Sequence, residues 1–175
     1  MESRFDRLLQ KIFVMVKVLF VCLGNICRSP LAEGIFQKLL VKEGMEDKVG
    51  VDSAGTGSWH LGELPDKRTY DVAQKHEIEL ENPAREVTKK DLERFDYIIA
   101  MDENNLDSLF ELDTEMKFAD KFYLMRDFDK YAREDKEVPD PYWGSEEEFD
   151  NIYAILERSI QEFLVFLKKQ GKLAS

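Results

Sequence analysis

Cysteine and histidine are scarce in this chain, two of each among 175 residues, and their placement excludes several classes of protein. Cys22 and Cys27 fall within one short segment, so neither can staple distant parts of the chain, and a disulfide scaffold is excluded. That usage suits a reducing, cytoplasmic compartment. His60 and His76 do not cluster with cysteines or acids at ligand spacing, so no metal site is expected and both read as surface or loop histidines. No motif calls for a cofactor.

Long apolar runs are also missing. None approaches the roughly 18 to 20 residues of a bilayer-spanning helix. The stretch from Ile12 to Cys22 is apolar but broken by Lys17, and the mixed charges of Met1 to Arg7 lack a small-residue cleavage signature, so neither a membrane span nor a secretory signal is expected. Positive charge is in deficit, with 25 Lys and Arg against 36 Asp and Glu and a formal net charge of −11. This disfavours nucleic acid as a partner and mildly repels an anionic phosphoprotein at long range. Affinity for an anion must then be local.

What is present is the segment Cys22-Leu23-Gly24-Asn25-Ile26-Cys27-Arg28-Ser29-Pro30. It sits between an apolar strand pattern, Val16 to Cys22, and the start of a helix, with Ser29 read as N-cap and Pro30 as first helical residue. Gly24 and Asn25 tolerate left-handed backbone, which lets the loop curl with its N–H groups inward. A dianion held there meets a nest of amides, the helix N-terminus and the Arg28 guanidinium, with the Cys22 sulfur beneath it. The same field favours thiolate, the form a sulfur nucleophile needs.

A partner for that nucleophile lies far downstream, in Val138-Pro139-Asp140-Pro141-Tyr142-Trp143-Gly144. Two prolines stiffen the segment around Asp140, and Tyr142 and Trp143 offer flat apolar walls. A carboxylic acid on a rigid loop can protonate a departing aryl oxygen, and as carboxylate it can then activate water.

The rest of the pattern is that of one α/β domain. Strand runs at Val16–Cys22, Val49–Ser53, Tyr97–Met101 and Phe118–Met125 alternate with helical patterns, which argues for a four-stranded parallel sheet with helices on both faces, the flavodoxin-like arrangement. The helix after Pro30 puts Ala32, Ile35, Phe36, Leu39 and Leu40 on one side and ends near Gly44. The last helix opens with Ser145 and Glu148 as a capping box and carries a core stripe from Phe149 to Leu167. Arg126 to Glu137 and Glu81 to Asp91 read as charge-rich connections.

These segments resemble the low-molecular-weight protein tyrosine phosphatases. The signature loop and the Asp-Pro-aromatic loop have counterparts here in the right order, as do Asp52 to Trp59 and Met101 to Asn105. The resemblance implies the phosphotyrosine protein phosphatase I type of fold over residues 16–172, with residues 1–15 as an N-terminal extension. It implies hydrolysis of phosphotyrosine on proteins and of small aryl phosphates, with inorganic phosphate as product. Cys22 would be the nucleophile, Arg28 the phosphate clamp and Asp140 the general acid and later base. Leu23, Gly24, Asn25, Ile26, Cys27 and Ser29 would hold phosphate or substrate, the Ser29 hydroxyl bonding the thiolate; Trp59, Tyr142 and Trp143 would wall the cleft. Ser53 and Asn82 would support the loop, Asn82 standing where many relatives place a histidine. Tyr142 is followed by Trp143 where mammalian members have a second tyrosine, so that position cannot be phosphorylated here.

Three other readings compete. An arsenate reductase of this type needs resolving cysteines downstream, and none follows Cys27. A protein-arginine phosphatase shares fold, loop and aspartate but tends to carry threonine at the position of Ile26. An inactive phosphate-binding relative should have lost Cys22, Arg28 or Asp140, and all three are present.

Overall fold

The computed structural model describes residues 15–173, so all but the last residue of the expected N-terminal extension lies outside the described part. Four strands form one sheet in the order β2-β1-β3-β4, every pairing parallel: β1 is Val16–Cys22, β2 Val49–Gly55, β3 Tyr97–Ala100 and β4 Phe122–Leu124. The helices are α1 (Arg28–Lys42), α2 (Lys67–Lys75), α3 (Lys89–Arg94), α4 (Glu103–Leu112) and α5 (Glu146–Lys169).

Alternation along β1 explains the two covered faces. Val16, Val18, Phe20 and Cys22 point into a core shared with α1 and α5, where the rings of Phe20 and Phe36 meet edge to face at 5.9 Å. Leu19 and Val21 point the other way, into a second core with Leu92 of α3 and Leu109 of α4. Burying one such large apolar side chain is worth roughly 1.5–3 kcal/mol, and on the first face the stripe of α5 supplies Phe149, Ile152, Leu156, Ile160, Phe163, Leu164 and Leu167, all buried. Ser145 N–H donates to Glu148 Oε2 at 2.6 Å, the backward half of the expected capping box.

The sheet order positions the site. β2 lies on one side of β1 and β3 on the other, so the chain leaves β1 first in one direction and later in the opposite one, opening a crevice at its carboxyl end. Cys22 is the residue at that end.

Two expectations need correction. Helix α1 begins at Arg28 with Cys27 as the capping residue and no side-chain cap, so Ser29 is already inside the first turn; its hydroxyl is recruited by Cys22 and Asn25 instead. The run from Phe118 to Met125 is strand only at Phe122–Leu124, flanked by 3-10 turns at Ala119–Lys121 and Met125–Asp127. Side chains impose those turns: Asp113 accepts from the amides of Lys117 and Phe118, and Asp127 from that of Leu124. Among the described residues no helix is long and apolar enough to cross a membrane.

Candidate active site

The loop after β1 curls over the start of α1 as its residue types require. Asn25 takes φ 55°, and its N–H donates to Cys22 Sγ at 3.3 Å. Gly55, at the end of β2, permits the close pairing of strand and loop: a Cβ there would stand 2.7 Å from Leu23 O. Thr56 and Gly57 then donate their amides to the carbonyls of Cys22 and Leu23, both at 2.9 Å.

A chain of buried hydrogen bonds fixes Cys22 from below. Asn25 Oδ1 accepts from Arg85 N–H at 2.9 Å, which sets the orientation of the amide. Its Nδ2 therefore donates to Ser29 Oγ at 2.8 Å and to Ser53 Oγ at 2.9 Å. With its oxygen receiving a proton from Asn25, Ser29 has its own hydroxyl proton free for Cys22 Sγ, 3.0 Å away and nearer than the alternative acceptor, Ala54 O, at 3.3 Å. The Ser53 hydroxyl donates to Glu33 Oε2 at 2.6 Å. Asn82 joins this chain one step further back than expected: it reaches Glu33 Oε1 at 2.6 Å, so its support of Asn25 runs through Glu33 and Ser53.

Arg28 is almost wholly buried and its donors are specifically placed. Nη1 bonds Asp102 Oδ2 at 2.6 Å and Val138 O at 3.0 Å, and Nη2 bonds Asp140 Oδ2 at 3.0 Å. Burial alone would weaken its charge, but Cys22, Asp140 and Asp102 outweigh that and hold the guanidinium more firmly protonated than usual. Asp102 caps α4 through Oδ1, which accepts from Asn105 N–H at 2.8 Å, so one carboxylate fixes both a helix start and the arginine.

Cys22, Leu23, Gly24, Ile26, Cys27, Arg28, Trp59, Asp140, Tyr142 and Trp143 all line one cleft of about 300 Å³. Ile26 and Cys27 are buried in its floor, whereas Trp59 and Trp143 form its rim, 72% and 93% exposed. Asn25, Ser29, Ser53 and Asn82 do not line it; they act behind the loop. The Cys27 thiol is pushed up to about 12 by burial first, then by the negative charges of Cys22 and Asp66.

Several residues that matter here were not singled out by the sequence. His60 is a loop histidine, but it lines the cleft, with Nδ1 2.7 Å from Glu63 Oε2 and its ring 5.9 Å from that of Tyr142. His76 does not line this cleft; its ring stacks on that of Tyr153 at 3.5 Å. Glu33 is a buried carboxylate among the apolar residues of α1, flanked one turn away on either side by Ser29 and Gln37. Asp102 lies within the Met101 to Asn105 segment that carries the resemblance, and an aspartate just ahead of a helical pattern marks the cap of α4. Arg85 carries no such signal: its role on Asn25 is through the main chain.

A thiol at the carboxyl end of a parallel strand, an amide loop, a buried arginine and a carboxylate on a second loop form a site for transfer of a phosphoryl group. Comparison with known proteins agrees with that chemistry. The sequence pattern described as low molecular weight phosphotyrosine protein phosphatase matches residues 17–173. A low molecular weight protein-tyrosine-phosphatase of Bacillus subtilis is 39% identical over 161 residues, covering 91% of this chain and 100% of that one. Among solved structures, a protein tyrosine phosphatase from Entamoeba histolytica with Hepes in its active site superposes with a TM-score of 0.84 at 37% identity, covering 89% of this chain and 98% of that one. A drosophila arginine phosphatase superposes with a TM-score of 0.82 at 35% identity, covering 87% and 98%. With nearly all of the described fold matched from β1 through α5, this chain belongs to the low molecular weight phosphotyrosine protein phosphatase family.

Proposed function

We propose that this chain hydrolyses phosphotyrosine on proteins, and small aryl phosphates, through a phosphocysteine at Cys22. The observation that carries the reading is the convergence of Cys22, Arg28 and Asp140 on one cleft, with Arg28 bonded directly to Asp140. In the first step the Cys22 thiolate attacks phosphorus, the bond to the aryl oxygen breaks, and Asp140 gives its proton to the departing oxygen. The loop amides and Arg28 carry the charge on the three equatorial oxygens as the phosphoryl group passes. In the second step the Asp140 carboxylate takes a proton from water, the water oxygen bonds phosphorus, and the S–P bond breaks to return thiolate and inorganic phosphate. Ser29, with its proton directed to Cys22 Sγ, stabilises the sulfur as leaving group in that step.

The second reading is a protein-arginine phosphatase, favoured by the likeness to the drosophila arginine phosphatase. Ile26 weighs against it, a branched apolar side chain buried in the cleft floor where an aryl ring would pack. Rates on matched phosphotyrosine, phosphoarginine and phosphoserine peptides test the two: phosphotyrosine should be hydrolysed fastest, and a preference for phosphoarginine overturns the substrate assignment.

A further inference from the structure

The loop that carries Asp140 is secured at both ends. Val138 N–H donates to Met101 O at 2.8 Å, and at the far end Ser145 N–H is held by Glu148 at the start of α5. Between them the chain makes a tight turn, closed by Gly144 N–H on Pro141 O at 2.8 Å and by Tyr142 N–H on Asp140 Oδ1 at 3.1 Å. Two carbonyls of this turn are taken by a single side chain from another element. Arg68, in the first turn of α2, donates from Nη2 to Tyr142 O at 3.0 Å and from Nη1 to Gly144 O at 3.1 Å.

The rest of that guanidinium is equally committed. Nε and Nη2 form a fork on Asp66 Oδ1 and Oδ2 at 3.0 and 2.9 Å, and the face of the group lies over the Phe149 ring, 4.5 Å from its centroid. A planar fork with every edge engaged cannot move toward one partner without losing another. Asp66 is itself anchored twice. It caps α2, with Oδ1 accepting from Arg68 N–H at 2.9 Å, and its own N–H donates to Ile26 O at 2.8 Å in the middle of the Cys22 loop. Hydrogen bonds therefore run from the nucleophile loop through Asp66 and Arg68 to the turn directly after Asp140.

We propose that Arg68 is a positioning residue for proton transfer: through Asp66 it takes its reference from the Cys22 loop and sets where Asp140 meets the leaving oxygen. This rests on the assignment of Asp140 as general acid made above. Arg68 is not part of the cleft lining, so it acts only through the loop it holds. A carboxyl must lie within hydrogen-bond reach of the oxygen it protonates, and a displacement of about 1 Å costs about a hundredfold in rate. That cost falls on the proton-transfer component alone. A group that only stabilised the fold would lower every substrate's rate alike.

The test compares wild type, Arg68→Met, Arg68→Lys, Asp66→Asn and Asp140→Asn on aryl phosphates of graded leaving-group acidity, from phenyl phosphate to 2,4-dinitrophenyl phosphate. The readouts are kcat/KM, which reports the steps up to phosphocysteine formation, and the inhibition constant of inorganic phosphate. Arg68→Met should lower kcat/KM on phenyl phosphate by about tenfold to a hundredfold but on dinitrophenyl phosphate by less than about threefold. Phosphate inhibition should stay within about twofold, because the Cys22 loop and Arg28 are untouched. Arg68→Lys, which keeps the charge but loses the fork, and Asp66→Asn, which keeps the helix cap but loses the anion, should show the same slope in weaker form. An equal loss on both substrates, or phosphate binding weakened in step with kcat/KM, overturns the proposal. Should Arg68→Met fail to fold, Arg68→Lys and Asp66→Asn decide, and a flat response in both overturns it. Asp140→Asn is the internal standard. A steep slope there with a flat one for Arg68 removes the positioning role alone, while a flat slope for Asp140→Asn itself removes the acid assignment and the positioning role with it.

Discussion

Arg28 Nη2 lies 3.0 Å from Asp140 Oδ2, so the arginine of the phosphate loop and the carboxylate of the opposite loop are paired with each other across the cleft. Any phosphate oxygen that takes up this donor displaces Asp140 from it. The carboxylate is therefore a competitor for the guanidinium as well as the proposed general acid. Asp140→Asn should bind inorganic phosphate more tightly than wild type, by about two- to fivefold, a modest gain because the pair is partly exposed. Competitive inhibition constants measure this directly. Weaker binding in the variant would mean that Asp140 presents Arg28 to the phosphate and does not compete for it.

Cys22→Ser separates binding from chemistry. The serine oxygen can still accept from the Asn25 amide and meet Ser29, so the loop should keep its shape and the variant should bind phosphate within about threefold of wild type. Turnover should vanish, because an alcohol is a far weaker nucleophile than a thiolate and a phosphoserine would be hard to hydrolyse. Substantial activity in a preparation shown by mass spectrometry to lack wild type would remove Cys22 from the mechanism.

The parts of this site that could be read in the sequence are those whose residues are neighbours in the chain. Cys22 to Pro30 is one continuous segment, and the strand before it and helix after it are dictated by local pattern, so the loop was legible without tertiary knowledge. Asp140 was legible because two prolines and two aromatics mark its loop. The support behind the loop was legible only in part: the resemblance points to Ser53 and Asn82, whereas Glu33 and Arg85 enter it only in the folded chain. Asn25, Glu33, Ser53, Asn82 and Arg85 come from widely separated segments that meet only when β2 pairs with β1 and the chain from 82 to 87 runs past the end of β2. Only the capping role expected of Ser29 fails, for a related reason: a serine before a proline is a good helix cap in isolation, but here tertiary partners claim its hydroxyl, among them Cys22, the partner that the resemblance implies. The fourth strand was read too long because its apolar residues continue into turns that acidic side chains impose.

The state of Cys27 sets the course of oxidation. With burial and the adjacent charges raising its thiol to about 12, Cys27 is protonated at neutral pH, and a thiol attacks sulfur only as thiolate. Peroxide converts the Cys22 thiolate to sulfenic acid, and the Cys27 thiolate can then displace hydroxide from that sulfur to form a disulfide. Capture should therefore be slow at pH 7 and accelerate at pH 9. After peroxide, the fraction of wild-type activity recovered by thiol should rise with pH over that range, while Cys27→Ser should recover little at either. Equal recovery by the two proteins at both pH values would reduce Cys27 to a packing residue.

Glu33 gives the fold a pH dependence of its own. Burial raises its carboxyl above the ordinary value of 4.5, and Asp52 adds to this, against the donors Ser53, Asn82 and Gln37 that pull it down. The folded state thus holds this proton more tightly than the unfolded chain. Its contribution to stability is full below the ordinary glutamate range and is lost as pH rises through the folded value. Glu33→Gln cannot titrate, so the Tm of wild type minus that of the variant should fall as pH is raised from about 4 to about 7. A difference that stays constant across this range would show that Glu33 does not titrate differently in the two states.

Selectivity turns on Ile26, which is 6% exposed and lies in the floor of the cleft beneath Trp59, Tyr142 and Trp143 at its walls and rim. Its branched side chain offers an aryl ring an apolar contact and offers the planar, donor-rich guanidinium of phosphoarginine nothing to bond. Ile26→Thr removes bulk and introduces a hydroxyl that can accept from such a group. A change of this size in an apolar pocket is worth about 1 to 3 kcal/mol, so the ratio of kcat/KM for phosphoarginine over phosphotyrosine peptides should rise by about tenfold or more without a complete exchange of substrates. The loop geometry should survive, because Ile26 is tied to its surroundings through its carbonyl, bonded by the Asp66 amide at 2.8 Å, and that contact does not depend on the side chain. Phosphate inhibition measured alongside checks this, and it should be unchanged within about twofold. A variant whose ratio does not move, with phosphate binding intact, would show that the floor of the cleft does not discriminate. The choice between the two phosphoresidues would then lie with the exposed rim formed by Trp59 and Trp143.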